Sequence, residues 1–229
     1  MFMAVDMKFN TRLQRLLANG FMLCITLYVV RTQAQADAIA TAEYLSPLEK
    51  EILREINLAR TQPAKYADVL EQMKSYYEGK LFKRPGEETV LTEEGSSAVE
   101  EAVRFLRKVK PLPPLVPSRG LSSAARDHVR EQGPRGAIGH RSRDGSSIAD
   151  RIKRYGRWQT AFGENISYGE SHARMIVAVW IIDDGVPERG HRDNLFNADF
   201  KTAGVSFGGH AAFKSMCVAD FAASYQEKN

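Results

Sequence analysis

Apolar residues first fall into helical register at Leu48, Ile52, Leu53, Ile56 and Ala59, one face of a 3.6-residue period. Ser46-Pro47-Leu48-Glu49 supplies the start signal: a hydroxyl at the N-cap, Pro at the first helical position and an acid in the first turn. Pro63 predicts a break or kink, with helix continuing over residues 64–73. Residues 74–94 then turn polar, and Arg84-Pro85-Gly86 breaks any periodicity, which predicts an exposed excursion. Ser96 or Ser97 is placed to cap a helix running through Val99, Ala102, Val103, Phe105 and Leu106. Pro111, Pro113, Pro114 and Pro117 impose an extended connection up to Gly120.

A third helix is predicted over residues 121–132, with Leu121, Ala124, Ala125 and His128 on one side. Residues 139–145 have loop chemistry, and residues 147–155 predict a short helix. Gly163-Glu164-Asn165 reads as a turn after a strand, and Ser171 as the cap of a buried helix whose apolar run spans residues 175–182. The apolar segments 203–207 and 215–222, joined through Gly208-Gly209, predict an antiparallel hairpin. Residues 37–44 read as a loose lead-in. Helices around a small antiparallel sheet make the fold class α+β. No internal repeat is present.

Composition narrows the class. Apolar residues make up 43% and charged residues 26% of 229, as in a globular protein of about one domain. The net charge of +4 is concentrated at the N-terminus, where Lys8, Arg12, Arg15 and Arg31 face Asp6 alone. The rest of the chain holds 28 basic and 27 acidic residues, which gives no electrostatic case for nucleic acid or an anionic membrane. The basic run from Arg151 to Arg157 reads as a solvated helix face.

Residues 1–36 have the layout of a secretory signal: a basic start, an apolar run over residues 16–30, and Ala34-Gln35-Ala36 as the cleavage site. The apolar run is shorter than a bilayer-spanning helix, and no transmembrane segment is expected after cleavage. Cleavage after Ala36 leaves a lead-in (37–45), one domain (46–225) with an insertion at about 74–117, and a tail (226–229). It also leaves Cys217 as the only cysteine, so the exported protein has no internal disulfide. An extracellular or periplasmic location and a bacterial origin fit this best.

Candidate chemistry collects in two motifs. Gly163-Glu164-Asn165-Ile166 offers a carboxylate; Asp183, Asp184 and Gly190-His191-Arg192 offer two more acids and an imidazole. His128 and His140 add two further imidazoles. Imidazole with carboxylate is the chemistry of a metal site or an acid/base pair. No nucleophile stands out: Ser167 reads as a turn residue and Cys217 as a buried thiol within a strand.

These motifs, in this order and with Glu55-Ile56-Asn57-Leu58-Ala59-Arg60 ahead of them, resemble the CAP superfamily. Its SCP-like secreted members include cysteine-rich secretory proteins, venom antigen 5 and plant pathogenesis-related proteins. The resemblance spans residues 46–225 and is closest to the bacterial branch, without the disulfides of animal members. It implies an α-β-α sandwich with a cleft lined by two His and two acidic residues. By position, His140, Glu164 and His191 match three of these. The fourth lies three residues after Trp180, at Asp183, with Asp184 as the alternative and His128 as an extra imidazole. Asn165 and Arg192 are expected to support the cleft by tying loops together.

Such a cleft is expected to hold a divalent metal, zinc among the candidates, through His140 and His191, or a small ligand through His128, His140, Glu164, Asp183 and His191. Family members are implicated in binding lipids and sterols, so binding without assigned turnover is the leading expectation. The alternatives are a metal-assisted hydrolase of envelope peptides or glycans, with Glu164 and His191 as catalytic candidates, and a scaffold whose insertion docks a protein partner.

Overall fold

The computed structural model describes residues 37–228; the proposed signal segment lies outside them. Seven helices and seven strands are described from residue 47 onward. Helix α1 (Pro47–Thr61) begins as its sequence dictates: the Ser46 hydroxyl accepts from the Glu49 N–H, and the Glu49 carboxylate accepts from the Ser46 N–H. The chain breaks at Gln62 and resumes as α2 (Pro63–Met73). Residues 37–41 are helical too, and Ile39, Ala42 and Leu45 are buried in the core, so this segment is a packed element rather than a loose lead-in.

The excursion contains three two-residue strands, β1 (Tyr77–Glu78), β2 (Leu81–Phe82) and β3 (Val90–Leu91), paired as an antiparallel sheet in that order. Strands this short leave no period-two pattern to read. Helix α3 (Ser96–Leu106) takes Gly95 as its N-cap, at φ 66°, in place of a serine. Its Ala98, Val99, Ala102 and Leu106 belong to the main core.

The central sheet has the order β4-β6-β7-β5, from β4 (Val116–Pro117), β5 (Gly156–Tyr168), β6 (Thr202–His210) and β7 (Lys214–Glu227). The β6/β7 and β7/β5 pairs are antiparallel, and β4 runs parallel to β6 at the edge, where its Pro117 is tolerated. Both faces are covered. Cys217, Ala219 and Phe221 face the core made with α1, α2, α3 and α6 (Ala173–Ile182). Met216, Val218 and Ala222 face α4 (Arg119–Gln132) and α5 (Ile148–Tyr155). The result is an α-β-α sandwich of the α+β class.

Three sequence expectations are corrected here. Gly163-Glu164-Asn165 is not a turn but the middle of β5. Gly208 and Gly209 lie within β6, and the hairpin turns at residues 211–213. Helix α6 starts at Ala173 with His172 as N-cap and no side-chain cap, so Ser171 lies outside it.

Candidate functional site

Glu164 and Asn165 are consecutive residues of β5, an edge strand, and therefore point to opposite faces of the sheet. Each organises one half of the site. On the α4/α5 face, Glu164 is fully buried and accepts from His140 Nδ1 at 2.8 Å and from Arg151 Nη2. Arg151, also fully buried, donates on to the His140 carbonyl at 3.0 Å and to the Ser142 hydroxyl. The buried carboxylate is thus matched by a buried guanidinium, which also ties down the loop carrying His140. Burial pushes the Glu164 carboxyl up, but the His140 bond and the charges of Arg151 and His128 outweigh it and hold it below its ordinary value.

On the other face, Asn165 Nδ2 donates to the His191 carbonyl at 2.9 Å, and Asn194 bridges to both the Asn165 side chain and the Glu164 carbonyl. His191 opens the short helix α7 (Gly190–Leu195). Its Nδ1 donates to Asp183 Oδ1 at 2.6 Å, and its backbone N–H donates to Asp183 Oδ2 at 2.9 Å. Asp183 ends α6 in the left-handed conformation, φ 54°, which turns its carboxylate back toward α7. Arg192 donates to the carbonyls of Ile181 and Ile182 and forks onto Glu101, fixing the same helix end.

The structure therefore forms two imidazole–carboxylate pairs, His140–Glu164 and His191–Asp183, tied to consecutive residues of β5, with Asn165 and Arg192 supporting the second. A carboxylate only accepts, so each imidazole carries its proton on Nδ1 and presents Nε2 without a partner among the described residues. The His140 side chain is half exposed and that of His191 about a quarter. Asp184 points away from the pair and accepts from the N–H groups of Glu93 and Glu94 at 2.7 and 2.8 Å. His128 is buried and donates through Nε2 to the Gly139 carbonyl at 2.9 Å, beneath the His140 loop. Burial lowers its tendency to protonate. Ser167 and Cys217 are both buried in strands, and burial pushes the Cys217 thiol well up.

Two residues of the site were not singled out from the sequence. Arg151 belongs to a run expected to be solvated, yet Ile148, Arg151, Ile152 and Tyr155 form one stripe at helical spacing, which places it inward. Asp220 stands opposite Glu164 on β7 and is fully buried. No donor bonds either of its oxygens, so it meets the neighbouring carboxylate only by keeping its own proton. Burial, reinforced by the Glu164 charge, pushes its carboxyl well up.

Among the described residues, no group of three His, Cys, Asp or Glu side chains is gathered closely enough to hold a metal ion. The donor set offers two imidazoles, each with a carboxylate behind Nδ1, the arrangement that orients metal-binding histidines. It offers an ion two imidazole ligands at most, with water for the rest of the shell. It does not fit a closed four-ligand structural centre. No helix among the described residues is long and apolar enough to cross a membrane.

An α-β-α sandwich carrying two imidazole–carboxylate pairs at the edge of its sheet is the architecture that the sequence resemblance implied. The family model described as the cysteine-rich secretory protein family, CAP, matches residues 100–221, just over half the chain. The chain belongs to this family; no disulfide is present among the described residues, and the excursion ahead of α3 is its own. Among solved structures it is similar to an outer surface protein of Borrelia burgdorferi, at 20% identity over 58% of this chain and 89% of that one, with a TM-score of 0.42. It is also similar to an extracellular protein containing an SCP domain from Bacillus anthracis, at 22% identity over 55% of this chain and 37% of that one, with a TM-score of 0.40. No curated protein matches it.

Proposed function

We propose that this is an exported CAP-domain binding protein whose His140–Glu164 and His191–Asp183 pairs hold a divalent ion such as zinc, with no turnover assigned. The observation that carries this reading is the matched bonding of the two imidazoles, each held by a carboxylate at Nδ1 with Nε2 unpartnered among the described residues. His140 and His191 would be the protein's ligands. Glu164 and Asp183 would fix their tautomers and rings, and Arg151 would keep Glu164 ionised in its buried position. A bound ion with open positions polarises an oxygen ligand or acidifies water, so the same site would underlie a hydrolase if one were found. Export is supported by the signal-like first 36 residues.

Zinc titration of the purified protein beside His140→Ala/His191→Ala tests the reading. Binding with a Kd of roughly micromolar order that disappears in the double variant is expected. Equal binding by both proteins, or by neither, overturns it.

A further inference from the structure

The loop that carries His140 is fastened more firmly than a surface connection needs. The Ala137 carbonyl accepts from His210 Nε2 at 2.8 Å, and the His140 carbonyl accepts from Arg151. Between them, Gly139 sits in a closed ring of bonds. Its carbonyl accepts from Gln132 Nε2 at 2.7 Å and from His128 Nε2. Its N–H donates to the Tyr168 hydroxyl, which donates in turn to Gln132 Oε1. His128, Gln132, Arg151 and His210 are all buried, so four buried polar side chains fix the backbone over residues 137–140. A loop held in advance loses little conformational entropy when something binds to it.

What this fastening displays is Ile138. It is bracketed by Gly136 and Gly139, both at positive φ (62° and 96°), and is 66% exposed. His210 also accepts the Phe213 N–H at Nδ1, so one imidazole clamps the His140 loop to the turn between β6 and β7. Phe213, 47% exposed, holds its ring 5.3 Å from that of His210 and 5.7 Å from that of Tyr168. Ala211 and Ala212 beside it are exposed as well. Two large apolar side chains thus stand in solvent on one rigid base, which favours a partner that covers them.

Charge narrows the partner. Residues 133–143 contain Arg135, Arg141 and Arg143 and no acid, and residues 208–214 contain Lys214 and no acid. Glu131 compensates Arg135, and Glu88 compensates Lys214. Among the described residues, Arg141 reaches only the Gly145 carbonyl, and Arg143 bonds only through its backbone N–H. Two cations without an acid partner therefore flank the apolar pair. The acids Glu88, Glu131, Asp144 and Glu170 stand on the same side, each paired with a base. An anionic bilayer would be repelled by them, whereas a protein segment can place its own charges between them.

We infer that Ile138 and Phe213 form a docking surface for an acidic segment of a partner protein. An apolar side chain of that segment covers the pair, and its carboxylates meet Arg141 and Arg143. Neither His140 nor His191 takes part, so the inference does not rest on the proposed ion site.

The probe is a random dodecapeptide library displayed on phage, selected on the purified protein after depletion on Ile138→Ser/Phe213→Ser. Both positions are exposed, so this variant should melt with the parent and keep zinc binding. Enriched peptides are expected to carry acids beside Leu, Ile or Phe. The strongest of them, labelled and followed by fluorescence anisotropy, should lose affinity about tenfold or more on Ile138→Ser/Phe213→Ser and again on Arg141→Glu/Arg143→Glu. It should bind His140→Ala/His191→Ala as it binds the parent, so this inference and the ion reading fail separately. No enrichment over the depleting variant, enriched peptides without an excess of acids, or a peptide indifferent to Arg141→Glu/Arg143→Glu would each overturn the inference. Sedimentation with phosphatidylglycerol vesicles that is lost in Ile138→Ser/Phe213→Ser would overturn it in favour of a membrane surface.

Discussion

Replacing Asp220 by Asn should stabilise the protein at neutral pH, although it removes a buried acid beside the candidate site. Asp220 is fully buried opposite Glu164, without a donor for either oxygen. Its carboxyl is pushed well up, first by burial and then by the Glu164 charge, so it folds in the neutral form. The unfolded chain releases that proton near pH 4, as any exposed Asp does. Above this point the folded state holds one more proton than the unfolded state, and stability falls as pH rises. The slope is about 1.4 kcal/mol per pH unit until the folded value is reached. The cost therefore grows with pH for as long as Asp220 keeps its proton in the fold. Asn has the same shape, is neutral at every pH and keeps an N–H to offer Glu164. The variant should therefore match the parent near pH 4 and gain on it steadily up to pH 7.

Glu164 runs the other way. Its depressed value contributes stability that is present above its unfolded value and lost as pH falls through its folded one. Above about pH 5 Glu164 is ionised in both proteins, so its contribution is constant there and the difference between them tracks Asp220. Urea unfolding of both at about pH 4, 5.5 and 7 reads the difference directly. A difference that does not change with pH, or an Asn variant weakest at pH 7, would show that Asp220 is ionised in the fold and refute the argument.

Two further outcomes follow from buried groups. Arg60 is fully buried and donates to the carbonyls of Pro113, Leu195, Asn197 and Phe200; Arg60→Met should leave these short of donors and lower stability by about 3 kcal/mol or more, seen as a fall in the urea midpoint. A Cβ on Gly204 would stand 2.0 Å from the Ser122 backbone nitrogen, so Gly204→Ala should push α4 off the sheet and lower the melting temperature by about 10 °C or more; an unchanged melt would show that the helix can shift freely.

How much of this was legible in the sequence depends on what each signal physically encodes. His140, Glu164, Asp183 and His191 were legible as candidates because they sit in ordered motifs that resemble a family's, although which imidazole meets which carboxylate was not. Counting from Trp180, as the resemblance implies, pointed to Asp183 but left Asp184 open; the left-handed turn at Asp183 separates them, sending the next carboxylate toward Glu93 and Glu94. Gly163 was misread as turn punctuation. Its backbone is an ordinary strand, and the reason for glycine is proximity: a Cβ there would come within 2.7 Å of the Asn194 side-chain oxygen, which belongs to the bridge between the two halves of the site. Arg151 and Asp220 were missed for a related reason. Each is a charged residue type in a stripe whose neighbours are apolar, Arg151 between Ile148 and Ile152 on a helix, and Asp220 between Val218 and Ala222 on one face of a strand. Charge alone says solvent, whereas periodicity says interior, and here periodicity wins because Glu164 compensates the buried guanidinium and a retained proton neutralises the buried acid. A lone ionisable residue on an inward stripe of this chain therefore pointed to the site's hidden electrostatics. The histidine and glycine motifs pointed only to its visible face.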